Sequence, residues 1–147
     1  MSVEINKALI RRLYDEGINR QDAAAAAGFY AADAKNHGRQ VGRAGMQAVF
    51  EALFSTFPDF NYRIDEITAE DDRVVCKVTM QGTHLGQPTL PEAFSGMLNG
   101  VAPTGKAVRV LQFHSFRIRG AQICEHAAVR DDLGMLFQLG LLPRPGS

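Results

Sequence analysis

The sequence predicts one α+β domain in which helices pack against an antiparallel sheet. Three observations predict it. The apolar period changes at Pro58, from the 3.6-residue repeat of a helix to the two-residue alternation of a strand. The alternating runs that follow are long and joined by short turns, which makes consecutive strands antiparallel neighbours. The chain has 147 residues and a mass of 16.1 kDa, which suits a single domain. A chain of that size buries about 68% of its unfolded surface, enough for a core without metal or disulfide staples. The domain is expected to fill 1–147, with a core over about 5–142 and a flexible tail at 143–147.

Three helices are expected before Pro58. Ile5, Leu9, Leu13 and Tyr14 form one apolar stripe, which Gly17 and Asn19 end. Gln21 to Ala32 is alanine-rich, with high helix propensity, and carries Phe29 and Tyr30 near its end. Met46, Val49, Phe50, Leu53, Phe54 and Phe57 recur at i, i+3, i+4, i+7, i+8 and i+11, and Pro58 stops that third helix. Phe60, Tyr62 and Ile64 then alternate with polar residues. After an acidic turn, so do Val74, Cys76, Val78 and Met80, and a third run covers Ala107 to Ile118. Arg119-Gly120 turns that run into Gln122–Arg130, and Leu133, Leu136 and Phe137 suggest a short last helix. Between the second and third runs lie about twenty Gly- and Pro-rich residues from His84 to Pro103, long enough to be a lid or binding loop.

Composition narrows the partners. Sixteen Lys and Arg balance sixteen Asp and Glu, so neither nucleic acid nor an anionic membrane surface is expected to bind through bulk charge. No stretch approaches the ~20 apolar residues that cross a bilayer, and the charged start has no signal-peptide core, so a cytoplasmic location is expected. Cys76 and Cys124 sit in apolar runs and read as buried, reduced thiols. No CxxC or HxxxH spacing is present, and no GxGxxG, GxxxxGK[ST] or GxSxG, so neither a metal nor a nucleotide cofactor is expected.

A few polar residues fall where chemistry could use them. Gln112 and His114 share the inward face of the third run with Val108, Val110, Phe116 and Ile118. Polar groups there must be hydrogen-bonded or line a cavity, so His114 is either a satisfied core histidine or a pocket group. On the next strand strict alternation puts Ile123, Glu125, Ala127, Val129 and Asp131 on one face. Asp131 is therefore either a pocket carboxylate or the N-cap of the last helix. His37, in "AKNHG", and His84 occupy loop positions.

Several segments resemble one known family. "YAADAKNHG", "FPDF", "GTHLG", "PTGKAV" and the closing "FRIRGAQICEHAAVRDDLGMLFQLG" are similar to the SnoaL-like polyketide cyclases, members of the NTF2-like (cystatin-like cone) superfamily. The resemblance implies a curved sheet around a deep apolar pocket, a homodimer through the sheet's outer face, and no cofactor. It implies acid-base chemistry, aldol or enolisation, on a hydrophobic carbonyl small molecule. Asp131 would be the acid/base, with His37 and His114 polarising the carbonyl; Tyr14, Tyr30, Phe50, Phe54, His84, Gln112 and Ala127 would line the pocket. Ala127 stands at the family's tryptophan position, and the chain has no tryptophan, which reshapes the cavity. Two other readings use the same cone: a non-catalytic small-molecule-binding dimer, and an epoxide hydrolase, which needs an inward arginine.

Overall fold

The computed structural model describes residues 2–146. Helix α1 (Val3–Arg12) is capped by Ser2, whose side chain accepts from the Ile5 amide, and it continues through a wider turn at Leu13–Gly17. The short α2 (Ala23–Ala27) follows, capped by Asp22. Strand β1 (Tyr30–Asn36) leads through the two-residue β2 (Arg39–Gln40) into α3 (Gly42–Thr56). The long strands β3 (Asn61–Glu70), β4 (Arg73–Thr83), β5 (Ala107–Arg119) and β6 (Gln122–Arg130) come next, and α4 (Asp132–Gln138) closes the chain.

One six-stranded sheet results, in the order β2-β1-β6-β5-β4-β3. Its long meander is antiparallel, as expected, but β1 runs parallel to β6. The expected second helix therefore stops early: Tyr30 to Ala32 belong to a strand, because pairing with β6 outweighs the local preference of an alanine run. Residue-skipping bulges interrupt β3–β4 and β5–β6. Such bulges increase local twist, and here they curl the sheet into a cone. α1 lies against β3 and β4, and α3 lies against β1.

The core fills the cone. Phe57, Phe60, Phe116, Met46, Met80, Leu98 and Ile123 are fully buried, each contributing about 1.5–3 kcal/mol of transfer free energy. Gly82 makes room for Phe57, since a Cβ on it would lie 2.9 Å from the Phe57 Cβ. The segment between β4 and β5 is clipped at its base, where the His84 amide donates to the Lys106 carbonyl and the Gly105 amide to the His84 carbonyl, both at 2.9 Å. It is also tied to the end of α3, where the Leu85 and Gly86 amides donate to the Thr56 carbonyl. At its middle, Phe94 and Ser95 have φ of 55° and 57°. That left-handed backbone is strained for a residue as bulky as Phe94, yet it turns the ring inward, edge-on to Phe57 at 5.5 Å.

Candidate active site

A single residue on β6 decides what faces the interior. Arg117 pairs with Glu125, but Ile118 pairs with Ile123, so Cys124 is an extra residue on β6. Before the bulge Ile123 points inward; beyond it the alternation is reversed, because a one-residue slip exchanges the two faces of a strand. Phe116 is thus paired with His126, His114 with Ala128, and Gln112 with Arg130. Ala127 and Val129 are exposed.

The expectation that Asp131 projects into the pocket is corrected by this shift. Asp131 is exposed and caps α4: its Oδ1 accepts from the Gly134 amide at 2.9 Å. Asp131→Ala should lower stability by about 1 kcal/mol, a melting-temperature drop of roughly 2–4 °C by differential scanning calorimetry. It should leave ligand binding unchanged.

The inward groups enclose a cavity of about 70 Å³. Tyr14, His37, Phe50, Gln112 and His114 line it as expected. His126, Arg130, Asn36, Tyr62 and Phe94 join them, together with Ile18, Met46, Val49, Leu53, Phe60 and Ala128. Four expected lining residues lie elsewhere. Tyr30 sits behind His126, and Phe54 stacks on Phe50 without reaching the cavity. Ala127 faces outward. His84 is fully buried at the base of the long segment, where its Nδ1 accepts from the Thr104 amide at 3.1 Å. The hollow is smaller than the deep pocket expected. An apolar cavity that accepts benzene measures about 150 Å³, so a ring-sized ligand requires lining side chains to move; among the described residues, Phe94 is the lining residue contributed by the long segment.

A continuous hydrogen-bonded chain forms the polar floor. The Tyr62 hydroxyl donates to Gln112 Oε1 at 3.0 Å, and His114 Nε2 meets the same oxygen at 2.7 Å. His114 Nδ1 lies 2.8 Å from His126 Nε2, and His126 Nδ1 lies 2.9 Å from the Tyr30 hydroxyl. An amide oxygen only accepts, so the network assigns the His114 proton to Nε2. His114 Nδ1 then accepts from His126 Nε2–H, and His126 Nδ1 accepts from the Tyr30 O–H. Both rings are neutral in this arrangement. Burial, reinforced by Arg130 and His37, lowers the His114 pKa to about 3; burial, then His114 and His37, lowers that of His126 as well. The Tyr30 and Tyr62 hydroxyls are held protonated, chiefly by burial.

Several polar groups of the lining have no protein partner among the described residues, the buried Tyr14 hydroxyl included; two of them suit acid-base work. Among the described residues, Gln112 Nε2 donates to no protein acceptor, and the His37 imidazole makes no hydrogen bond. His37 stands at the cavity mouth on a left-handed backbone (φ 52°), with its amide donating to the His126 carbonyl at 2.8 Å. Partial burial and the nearby Arg130 lower its pKa, so its ring is neutral near pH 7. A neutral imidazole can take a proton, and an amide N–H pair can stabilise an oxygen that gains charge. No Asp or Glu lines the cavity, and no group of three or more His, Cys, Asp or Glu among the described residues is placed to hold a metal.

His126 and Arg130 were not distinguished by the sequence, because the bulge that turns them inward leaves no mark in the alternation. The one available signal was composition: "CEHAAVR" places a histidine and an arginine on the face opposite Asp131.

The profile of the SnoaL-like polyketide cyclase family matches residues 8–139. The chain belongs to that family, and its cone is the NTF2-like fold. Among solved structures it is similar to AclR of Streptomyces galilaeus, with 28% identity and a TM-score of 0.77 over 97% of this chain and 100% of that one. It is similar to IdmH of Streptomyces antibioticus, with 27% identity and a TM-score of 0.72 over 92% and 98%. TsrD of Streptomyces laurentii shares the fold at 22% identity, with a TM-score of 0.81 over 97% and 99%. No curated protein matches the sequence. No helix among the described residues is long and apolar enough to cross a membrane.

Proposed function

We propose that the protein is an acid-base enzyme that enolises a hydrophobic carbonyl compound, the step that opens both aldol cyclisation and isomerisation. The observation that carries this reading is the pairing of a free, neutral His37 imidazole with a Gln112 amide fixed by the His114–His126–Tyr30 chain. In this mechanism His37 removes the proton α to the carbonyl while Gln112 Nε2 donates to the carbonyl oxygen as it becomes an enolate. His114 holds Gln112 Oε1 and thereby the direction of that donor; His126 and Tyr30 hold His114. The apolar walls keep water from competing for the buried Gln112 amide, while His37 works from the mouth. Two of the similar structures fit a role in small-molecule metabolism: IdmH is provisionally assigned as a polyketide cyclase and AclR as a hydroxylase.

The test is deuterium wash-in from D₂O at the α-carbon of a panel of aryl ketones and β-keto esters, followed by mass spectrometry. Exchange above the buffer rate is expected for at least one member. A panel that binds without any accelerated exchange would leave the non-catalytic reading, which the exposed position of Asp131 favours.

We further propose a homodimer through the outer face of the sheet, where Leu111, Phe113 and Val129 are exposed. Phe113 and Val129 face each other across β5 and β6 and form one apolar patch. Sedimentation velocity should give twice the chain mass for the parent and a monomer for Phe113→Asp.

A further inference from the structure

Among the described residues, Arg130 is the only lysine or arginine lining the cavity, and enolisation by His37 and Gln112 gives it no task. It reaches the interior solely because of the Cys124 bulge. Asp132 grips one edge of its guanidinium, with Nε to Oδ1 at 3.1 Å and Nη2 to Oδ2 at 3.3 Å. The second Nη2 proton goes to Ser95 Oγ, on the long segment, at 2.9 Å. These bonds use three of the five guanidinium N–H groups. The remaining two are on Nη1, which has no partner among the described residues. Arg130 is thus held rigidly at the wall of a cavity that contains no carboxylate of its own, with one donor edge open.

We propose that this open edge receives a carboxylate of the ligand, so that the substrate is a hydrophobic carbonyl compound bearing a free acid; the inference rests on the enolisation reading for the identity of the site. A monoanion fits better than a phosphate dianion. Asp132 already neutralises Arg130 once, and a single N–H₂ edge satisfies one or two oxygens rather than three. Fixing the acid at Arg130 would orient the carbonyl end of the molecule between Gln112 and His37. The same fork that pre-orders the guanidinium reduces the entropy lost when it binds.

The experiment compares 1-hydroxy-2-naphthoate with its methyl ester by isothermal titration calorimetry near neutral pH. The intact protein should bind the acid at least about tenfold more tightly than the ester, as a charge-assisted hydrogen bond requires. Arg130→Met should remove the preference by weakening the acid alone. Ser95→Ala, which frees the long segment without touching Nη1, should keep it. Equal binding of acid and ester, a preference that survives in Arg130→Met, or no binding of either compound would overturn the proposal. A flat acid-to-ester ratio with α-carbon exchange intact on neutral esters would reject the Arg130 site and leave enolisation standing. A tenfold ratio without any exchange would do the reverse.

Discussion

Acidification from about pH 7 to about pH 4.5 is expected to destabilise the fold by about 2–3 kcal/mol through His114 alone. The folded-state pKa of His114 is depressed to about 3, against an ordinary value of 6.5. A histidine with a depressed folded pKa binds its proton more readily when unfolded, so stability is full above 6.5 and is lost as the pH falls toward 3. His126 is displaced in the same direction and adds to the loss. Protonating either ring also breaks the floor chain, because His114 Nδ1 and His126 Nδ1 both serve as acceptors in it. Small domains have only about 5–15 kcal/mol in reserve, so the urea midpoint should fall visibly across this window. The double variant His114→Asn/His126→Asn should have a lower starting stability and a much flatter pH dependence. A parent midpoint that stays level from neutral pH to about 4.5 would mean that the two rings are not buried as neutral bases.

Replacing His37 with Asn is expected to lower the α-carbon exchange rate by about 10²–10⁴-fold, the usual contribution of a positioned general base. Asparagine is the informative replacement because it tolerates the left-handed backbone at this position (φ 52°) and keeps the amide bond to the His126 carbonyl. Its side chain cannot take a proton at neutral pH. Folding and ligand affinity should change little, so the effect should fall on kcat rather than KM. Exchange within about threefold of the parent rate would remove His37 from the role of base.

The helices and the long strands were legible because each is governed by one period. The helical spacing of Met46, Phe50 and Leu53 does become the buried face of α3, and the inward set of β5 is the one its alternation predicts. Gln112, His114 and His37 could be found for the same reason: two lie on an uninterrupted strand, and the third lies in a motif shared with the family. β1 was hidden because alanine favours a helix when the chain is read locally, and its partner β6 is some ninety residues away in sequence. Asp131 was placed on the wrong face because counting by twos cannot register an added residue. The error spread from Cys124 to the end of the strand, exposing Ala127 and hiding His126 and Arg130 at once. The cavity's size was equally out of reach, since part of its lining is Phe94, whose inward turn depends on a backbone conformation that its residue type disfavours.

The clip that joins His84 to Gly105 and Lys106 has a wider consequence. With both ends stapled together at the rim of the cone, the register of β4 against β5 does not depend on the length of the stretch between them, although Phe94 and Leu98 of that stretch pack into the core. Doubling the length of such a loop costs only about 0.6 kcal/mol of closure entropy. Its length and exposed positions can therefore vary, resizing the roof over a constant imidazole floor, so long as Phe94 and Leu98 keep an apolar replacement. Diversification of ligand range in this architecture would be cheapest there, with the paired strands beneath keeping their register.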